Sequence, residues 1–144
     1  MENEERVAED DAHYRARLSP ESYAVTRRKA TERAFSNRYW NHHSDGTYAC
    51  ICCGAPLFDS GSKFDSASGW PSFSAPIDAR AVRIEVDFSL GIPRDEVCCA
   101  GCEAHLGHVF PDGPEPTGLR FCMNSAALDF QPRAGAARGA AIGG

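Results

Sequence analysis

Apolar and polar residues alternate from Ala81 to Val86, with Val82, Ile84 and Val86 on one side and Arg83 and Glu85 on the other. This period of two predicts a strand with one buried face. Further short runs of strand character, Thr47 to Cys50, Glu96 to Cys99, His108 to Phe110, Leu119 to Asn124 and Leu128 to Phe130, are separated by Gly, Pro, Ser and Asp. Ser19-Pro20-Glu21 has the form of a helix start, with Ser as N-cap and Pro at the first helical position, and predicts a short helix over about 20 to 33. Strands and helices do not alternate as βαβ units would. The pattern predicts a mainly β, antiparallel domain with a short N-terminal helix.

The two ends lack this patterning. Residues 1 to 18 carry Glu2, Glu4, Glu5, Glu9, Asp10 and Asp11 among few apolar residues, too little burial to offset the entropy of ordering, so a flexible acidic arm is expected there. Residues 131 to 144 are mostly Ala and Gly and read as a flexible tail. The folded domain is then 19–130. With 144 residues, 42% hydrophobic and 24% charged, the chain has the proportions of one globular domain, which excludes wholesale disorder and fibres.

Charge narrows the partners. A net charge of −5 is wrong for a protein that grips phosphate backbones, so no nucleic acid is expected. No apolar run approaches the roughly 18 to 20 residues that span a bilayer. Met1 to Arg17 is acidic, unlike a basic-then-apolar leader. We therefore expect no membrane partner, a cytoplasmic location and a monomer.

Seven cysteines are an odd number, which cannot all pair in disulfides, and without a secretion signal they point to metal ligands or redox thiols. Cys50-Ile51-Cys52-Cys53-Gly54 and Cys99-Ala100-Gly101-Cys102 each offer a C-x-x-C turn, the unit that supplies two corners of a tetrahedral zinc site. Together Cys50, Cys53, Cys99 and Cys102 predict one structural Zn²⁺ on four thiolates. Cys52 adjoins Cys53 and Cys98 adjoins Cys99, so either neighbour is an alternative ligand; the C-x-x-C choice has the better turn geometry. Buried free thiols or two redox pairs are the plainer alternatives. A closed four-sulfur site keeps no open position for substrate, which would make the metal scaffold rather than catalyst.

Cys122 stands apart, in Arg120-Phe121-Cys122-Met123-Asn124-Ser125. On a strand, Arg120, Cys122 and Asn124 share a face, and a neighbouring cation or donor lowers a thiol's pKa. Cys122 is thus the candidate nucleophile, against the plain reading of a small buried core residue. His105-Leu106-Gly107-His108 begins three residues after Cys102, so the metal turn would hold both imidazoles while leaving them free for chemistry; zinc ligation by one or both of them is the alternative.

These residues fall in an ordered series. Tyr23-Ala24-Val25-Thr26-Arg27, Tyr39-Trp40, Cys50-Ile51-Cys52-Cys53-Gly54, Lys63-Phe64-Asp65-Ser66, Gly69-Trp70-Pro71-Ser72-Phe73, and the block from Cys99 through His105-Leu106-Gly107-His108-Val109-Phe110-Pro111-Asp112-Gly113-Pro114 to Asn124-Ser125 together resemble the B-type methionine-R-sulfoxide reductases, from about Leu18 to Phe130. The resemblance implies two small antiparallel sheets around a shallow active site, with zinc on the far side. It puts Cys122 on the nucleophile, His105, His108 and Asn124 on polar catalytic positions, and Trp70 on the pocket for the substrate methyl; Phe110 and Arg120 are expected beside it as substrate-binding residues. It implies oxidised proteins bearing methionine-R-sulfoxide as substrates and thioredoxin or another thiol as reductant. Where many members carry a resolving cysteine, this chain has Ser68; Phe121 and Ala67 are milder departures. Direct reduction of a Cys122 sulfenic acid by an external thiol is therefore expected. The rival from another class is a non-catalytic zinc-ribbon binding module, which would show a basic or aromatic stripe in place of a reactive seventh cysteine.

Overall fold

A computed structural model describes residues 11–88, 91 and 93–133. Residues 1–10 of the expected acidic arm and 134–144 of the expected tail lie outside the described residues. Residues 11–17 of that arm are helical: the Tyr23 hydroxyl donates to Asp11 at 2.6 Å and the Arg27 guanidinium lies 4.4 Å from the Tyr14 ring, tertiary contacts that composition alone does not reveal. Gln131 and Pro132 belong to the last strand, and Arg133 pairs with Asp45 at 3.0 Å and Asp59 at 2.8 Å.

Helix α1 spans Pro20–Arg28, starting as expected, with Ser19 Oγ accepting from Ser22 N–H at 3.1 Å. It ends five residues before the expected 33. Lys29 adopts the left-handed conformation, φ 59°, and its N–H returns to the Ala24 carbonyl; this C-terminal cap closes the helix and turns the chain toward the site.

Among the described residues nine strands follow: β1 (Gly46–Cys50), β2 (Pro56–Asp59), β3 (Lys63–Phe64), β4 (Ser72–Phe73), β5 (Val82–Asp87), β6 (Arg94–Cys99), β7 (His105–Phe110), β8 (Arg120–Met123) and β9 (Leu128–Pro132). They form two antiparallel sheets, β2-β1-β9 and β3-β4-β8-β7-β6-β5. The mainly β architecture with a short N-terminal helix is thus present. The six strands expected from pattern are all found, β7 beginning at His105 rather than His108. Sequence pattern missed β2, β3 and β4, which are two to four residues long and too short to show a period.

The core lies between the sheets. Tyr48, Leu57, Phe58, Phe73, Leu106, Met123 and Leu128 are fully buried, and the Phe58 and Phe73 rings stack with centroids 4.4 Å apart, a contact worth about 0.5–1.5 kcal/mol beyond area burial. The expected buried face of β5 is corrected here. Only Val82 is buried; Ile84 and Val86 are 48% and 56% exposed. β5 is the edge strand, and its second half overhangs the core, so alternation reports a sheet face without guaranteeing a layer over it.

Gly107 lets β7 approach β8. A Cβ there would sit 2.1 Å from the Cys122 carbonyl oxygen, so only hydrogen fits at this crossing. The result places His108 directly opposite Cys122, and Cys122 opposite Ser72 on β4.

Candidate active site

Cys122 lies in a cavity of about 320 Å³ lined by Thr31, Ser68, Trp70, Arg94, Gly107, His108, Phe110, Arg120, Met123 and Asn124 as well as itself. The cavity brings together all but one of the non-metal residues expected from sequence. The exception is His105, which is buried one ring behind, its centroid 5.4 Å from that of His108.

Each side chain is held by a traceable bond. Trp70 Nε1 donates to the Glu32 carbonyl at 3.0 Å, the Glu32 N–H donates to Asn124 Oδ1 at 3.0 Å, and Asn124 Nδ2 donates to the Leu106 carbonyl at 3.0 Å. Asn124 therefore spends its oxygen and one N–H on backbone, and has one N–H left to offer. The Glu32 carboxylate anchors this loop by accepting from Ala126 N–H at 2.8 Å. Burial pushes its pKa up, against the backbone hydrogen bonds.

The charged groups are paired. Arg120 makes a two-point contact with Asp112, at 2.9 and 3.2 Å, and lies 4.5 Å over the Phe110 ring. Asp87 accepts from Arg94 at 3.4 Å, and its Oδ2 is 3.0 Å from His108 Nε2. Glu96 Oε2 is 2.7 Å from His105 Nδ1 while Glu96 Oε1 is 3.1 Å from Lys29 Nζ. Burial disfavours the charged form of His105 and lowers its pKa, with Glu96 opposing. Asp87, Arg94, Glu96, Thr31 and Glu32 were missed in the sequence. Asp87 and Glu96 did carry a faint signal, as carboxylates on strands next to the core.

Neighbouring cations were expected to lower the Cys122 pKa. Arg120 and the Ser68 hydroxyl, 3.9 Å from Sγ, do act in that direction, but burial is larger and the thiol is pushed above its ordinary value.

On the other flank, Cys50, Cys53, Cys99 and Cys102 place their sulfurs within 4.8 Å of one another. Cys50 and Cys102 are 3.5 Å apart, Cys53 and Cys99 3.6 Å, against an edge of about 3.8 Å for a tetrahedron with zinc–sulfur bonds of about 2.3 Å. These four residues can hold a metal ion. Both turns close alike: Gly54 N–H returns to the Cys50 carbonyl and Glu103 N–H to that of Cys99, each at 2.8 Å, with Gly54 and Glu103 in the left-handed region. Arg27 donates to the Cys102 carbonyl at 2.9 Å. Cys98 instead donates to Glu96 at 3.3 Å, and Cys52 is buried and not one of the four, although its side chain interacts with Cys50 and Cys102. Among the described residues no helix is long and apolar enough to cross a membrane.

A SelR domain model matches residues 18–132. The peptide methionine sulfoxide reductase MsrB of Thiobacillus denitrificans is 57% identical over 123 residues, covering 85% of this chain and 93% of the relative. Those of Thioalkalivibrio sulfidiphilus and Pseudomonas putida are 61% and 60% identical, covering 84% and 85% of this chain and 88% and 92% of the relatives. A domain match over nearly all the folded chain, with identity of this height, assigns it: the chain belongs to the SelR-domain family of MsrB peptide methionine sulfoxide reductases.

Proposed function

We propose that this chain reduces methionine-R-sulfoxide, chiefly in proteins, with Cys122 as nucleophile. The observation that carries this reading is one cavity in which the thiol meets an indole and a phenyl ring, Trp70 and Phe110, together with His108, Arg120 and Asn124. An apolar wall suits the substrate methyl and donors suit the oxygen, so exchanging the two would mismatch both. The thiol and the sulfoxide become a sulfenic acid and a thioether. The sulfoxide sulfur gains an electron pair, the cysteine sulfur loses one, and the thiol proton ends on the transferred oxygen. An imidazole suits that proton transfer near neutral pH; His108 lines the cavity and His105 backs it.

Recycling by an external thiol, thioredoxin or another, is part of the proposal. Cys98 and Cys122 lie on β6 and β8 with β7 between them. Two strand spacings make about 9–10 Å, beyond the about 7 Å Cα limit for a disulfide. Zinc is the ion we assign to Cys50, Cys53, Cys99 and Cys102, where it supplies a cross-link between two distant turns. The enzyme is read as a cytoplasmic monomer.

The test is product analysis by mass spectrometry with separated sulfoxide epimers and dithiothreitol. The R epimer is expected to yield methionine and the S epimer none, and Cys122→Ser should abolish turnover while leaving metal content intact. Turnover of the S epimer, or activity in Cys122→Ser, would sink the reading.

A further inference from the structure

Behind the cavity a polar chain starts at exposed Lys29, passes through buried Glu96 and reaches His105 against the His108 ring. We propose that Glu96 is a positioning residue that holds His105 as the Nδ1–H tautomer, leaving a bare Nε2 on the ring that backs His108, and so sets the imidazole pair that assists proton transfer at Cys122. This rests on the reductase reading above.

The tautomer follows from counting donors. Glu96 accepts from Lys29 at 3.1 Å and from the Cys98 thiol at 3.3 Å. A carboxylate with such partners is ionised and can only accept. Its 2.7 Å contact with His105 Nδ1 must then carry the hydrogen on the imidazole, and in the neutral ring Nε2 keeps its lone pair. That atom is buried and has no hydrogen-bond partner among the described residues. A buried bare acceptor is retained at a cost, which is understandable if its work comes during turnover.

Charged groups surround the imidazole pair on both sides. His105 and His108 lie between two cavities, one containing Cys122 and another of about 290 Å³ lined by His105, Glu96 and Lys29. Asp87 and Arg94 face the pair from the catalytic side; Arg27, Arg83, Glu85 and Glu103 rim the second cavity. Protonation at Nε2 would form an imidazolium whose charge Glu96 already faces. The transferred proton leaves Cys122 Sγ and ends on the transferred oxygen within the cavity that His108 lines, so none is gained or lost.

The experiment is long-range proton–nitrogen correlation NMR of nitrogen-15 histidine in the zinc-loaded protein at neutral pH. A protonated Nδ1 and a bare Nε2 are expected for His105. In Glu96→Gln the amide can donate to Nδ1, so the other tautomer or a mixture should appear. Single-turnover sulfenic acid formation should slow at least about tenfold, with KM within about twofold and a displaced pH profile, and Glu96→Asp should recover part of the rate. A wild-type His105 protonated at Nε2 overturns the proposal even if the variant does not fold, as does a Glu96→Gln protein with unchanged tautomer and pH profile. The tautomer is read without sulfoxide, whereas failure of the reductase reading would appear as absent product in the wild type.

Discussion

At the scale of single residues, burial decides the reactivity of Cys122. Its raised pKa means that the thiolate fraction, and with it the single-turnover rate, should climb as pH rises through a value above the ordinary thiol range. Arg120 opposes burial there, so Arg120→Ala should move this limb further to the alkaline side in a pH–rate profile. A shift toward acid would show that Arg120 does not stabilise the thiolate. Ser68 allows a second prediction, because its Oγ is 3.9 Å from Cys122 Sγ, so a sulfur at position 68 starts close to its partner. Ser68→Cys should form a disulfide with Cys122 after one turnover and favour dithiol over monothiol reductants. Peptide mapping checks the bond; a persistent dimedone adduct on Cys122 in that variant would refute it.

At the scale of elements, the site depends on how closely β7 and β8 approach. Gly107→Ala puts a methyl 2.1 Å from the Cys122 carbonyl oxygen and 2.9 Å from Met123 Cα, both backbone atoms that cannot swing away. The strands must separate, at a cost of about 1–3 kcal/mol typical of overpacking, and Cys122 must move relative to His108. Denaturant unfolding should show the loss, and sulfoxide reduction should fall with it. Unchanged stability would mean that the ladder is looser than the register implies. The α1 cap matters for the same reason: Lys29 turns the chain so that Thr31 reaches the cavity and the Glu32 backbone reaches the side chains of Trp70 and Asn124 rather than extending the helix.

At the scale of the whole molecule, the four-sulfur cluster joins the turn after β1 to the turn after β6 and so ties the two sheets together. Binding free energy at such a site is folding free energy. Cys102→Ser, or a chelator at neutral pH, should lower metal content and melting temperature together, with activity lost only as the fold is lost. Metal analysis and calorimetry check this; a metal-free protein with an unchanged melting temperature would contradict a structural role. The cluster is separate from the cavity around Cys122, sharing none of its lining residues.

What the sequence determined by itself was local or carried by spacing. Two C-x-x-C turns force their sulfurs to converge in pairs, the Ser19-Pro20 start needs only neighbouring backbone, and the motif series from Tyr23 to Ser125 carries the family resemblance in the sequence alone. Tertiary structure decided whatever depends on what lies overhead. It left Ile84 and Val86 exposed although their alternation is sound, because β5 is an edge strand. It set His105 behind His108 rather than beside Cys122, because a register irregularity in the β6–β7 pairing brings His105 opposite Cys98 and beside Glu96. It raised the Cys122 pKa where neighbouring cations suggested the opposite, because desolvation sums over every atom packed around a thiol and no stretch of sequence contains that sum.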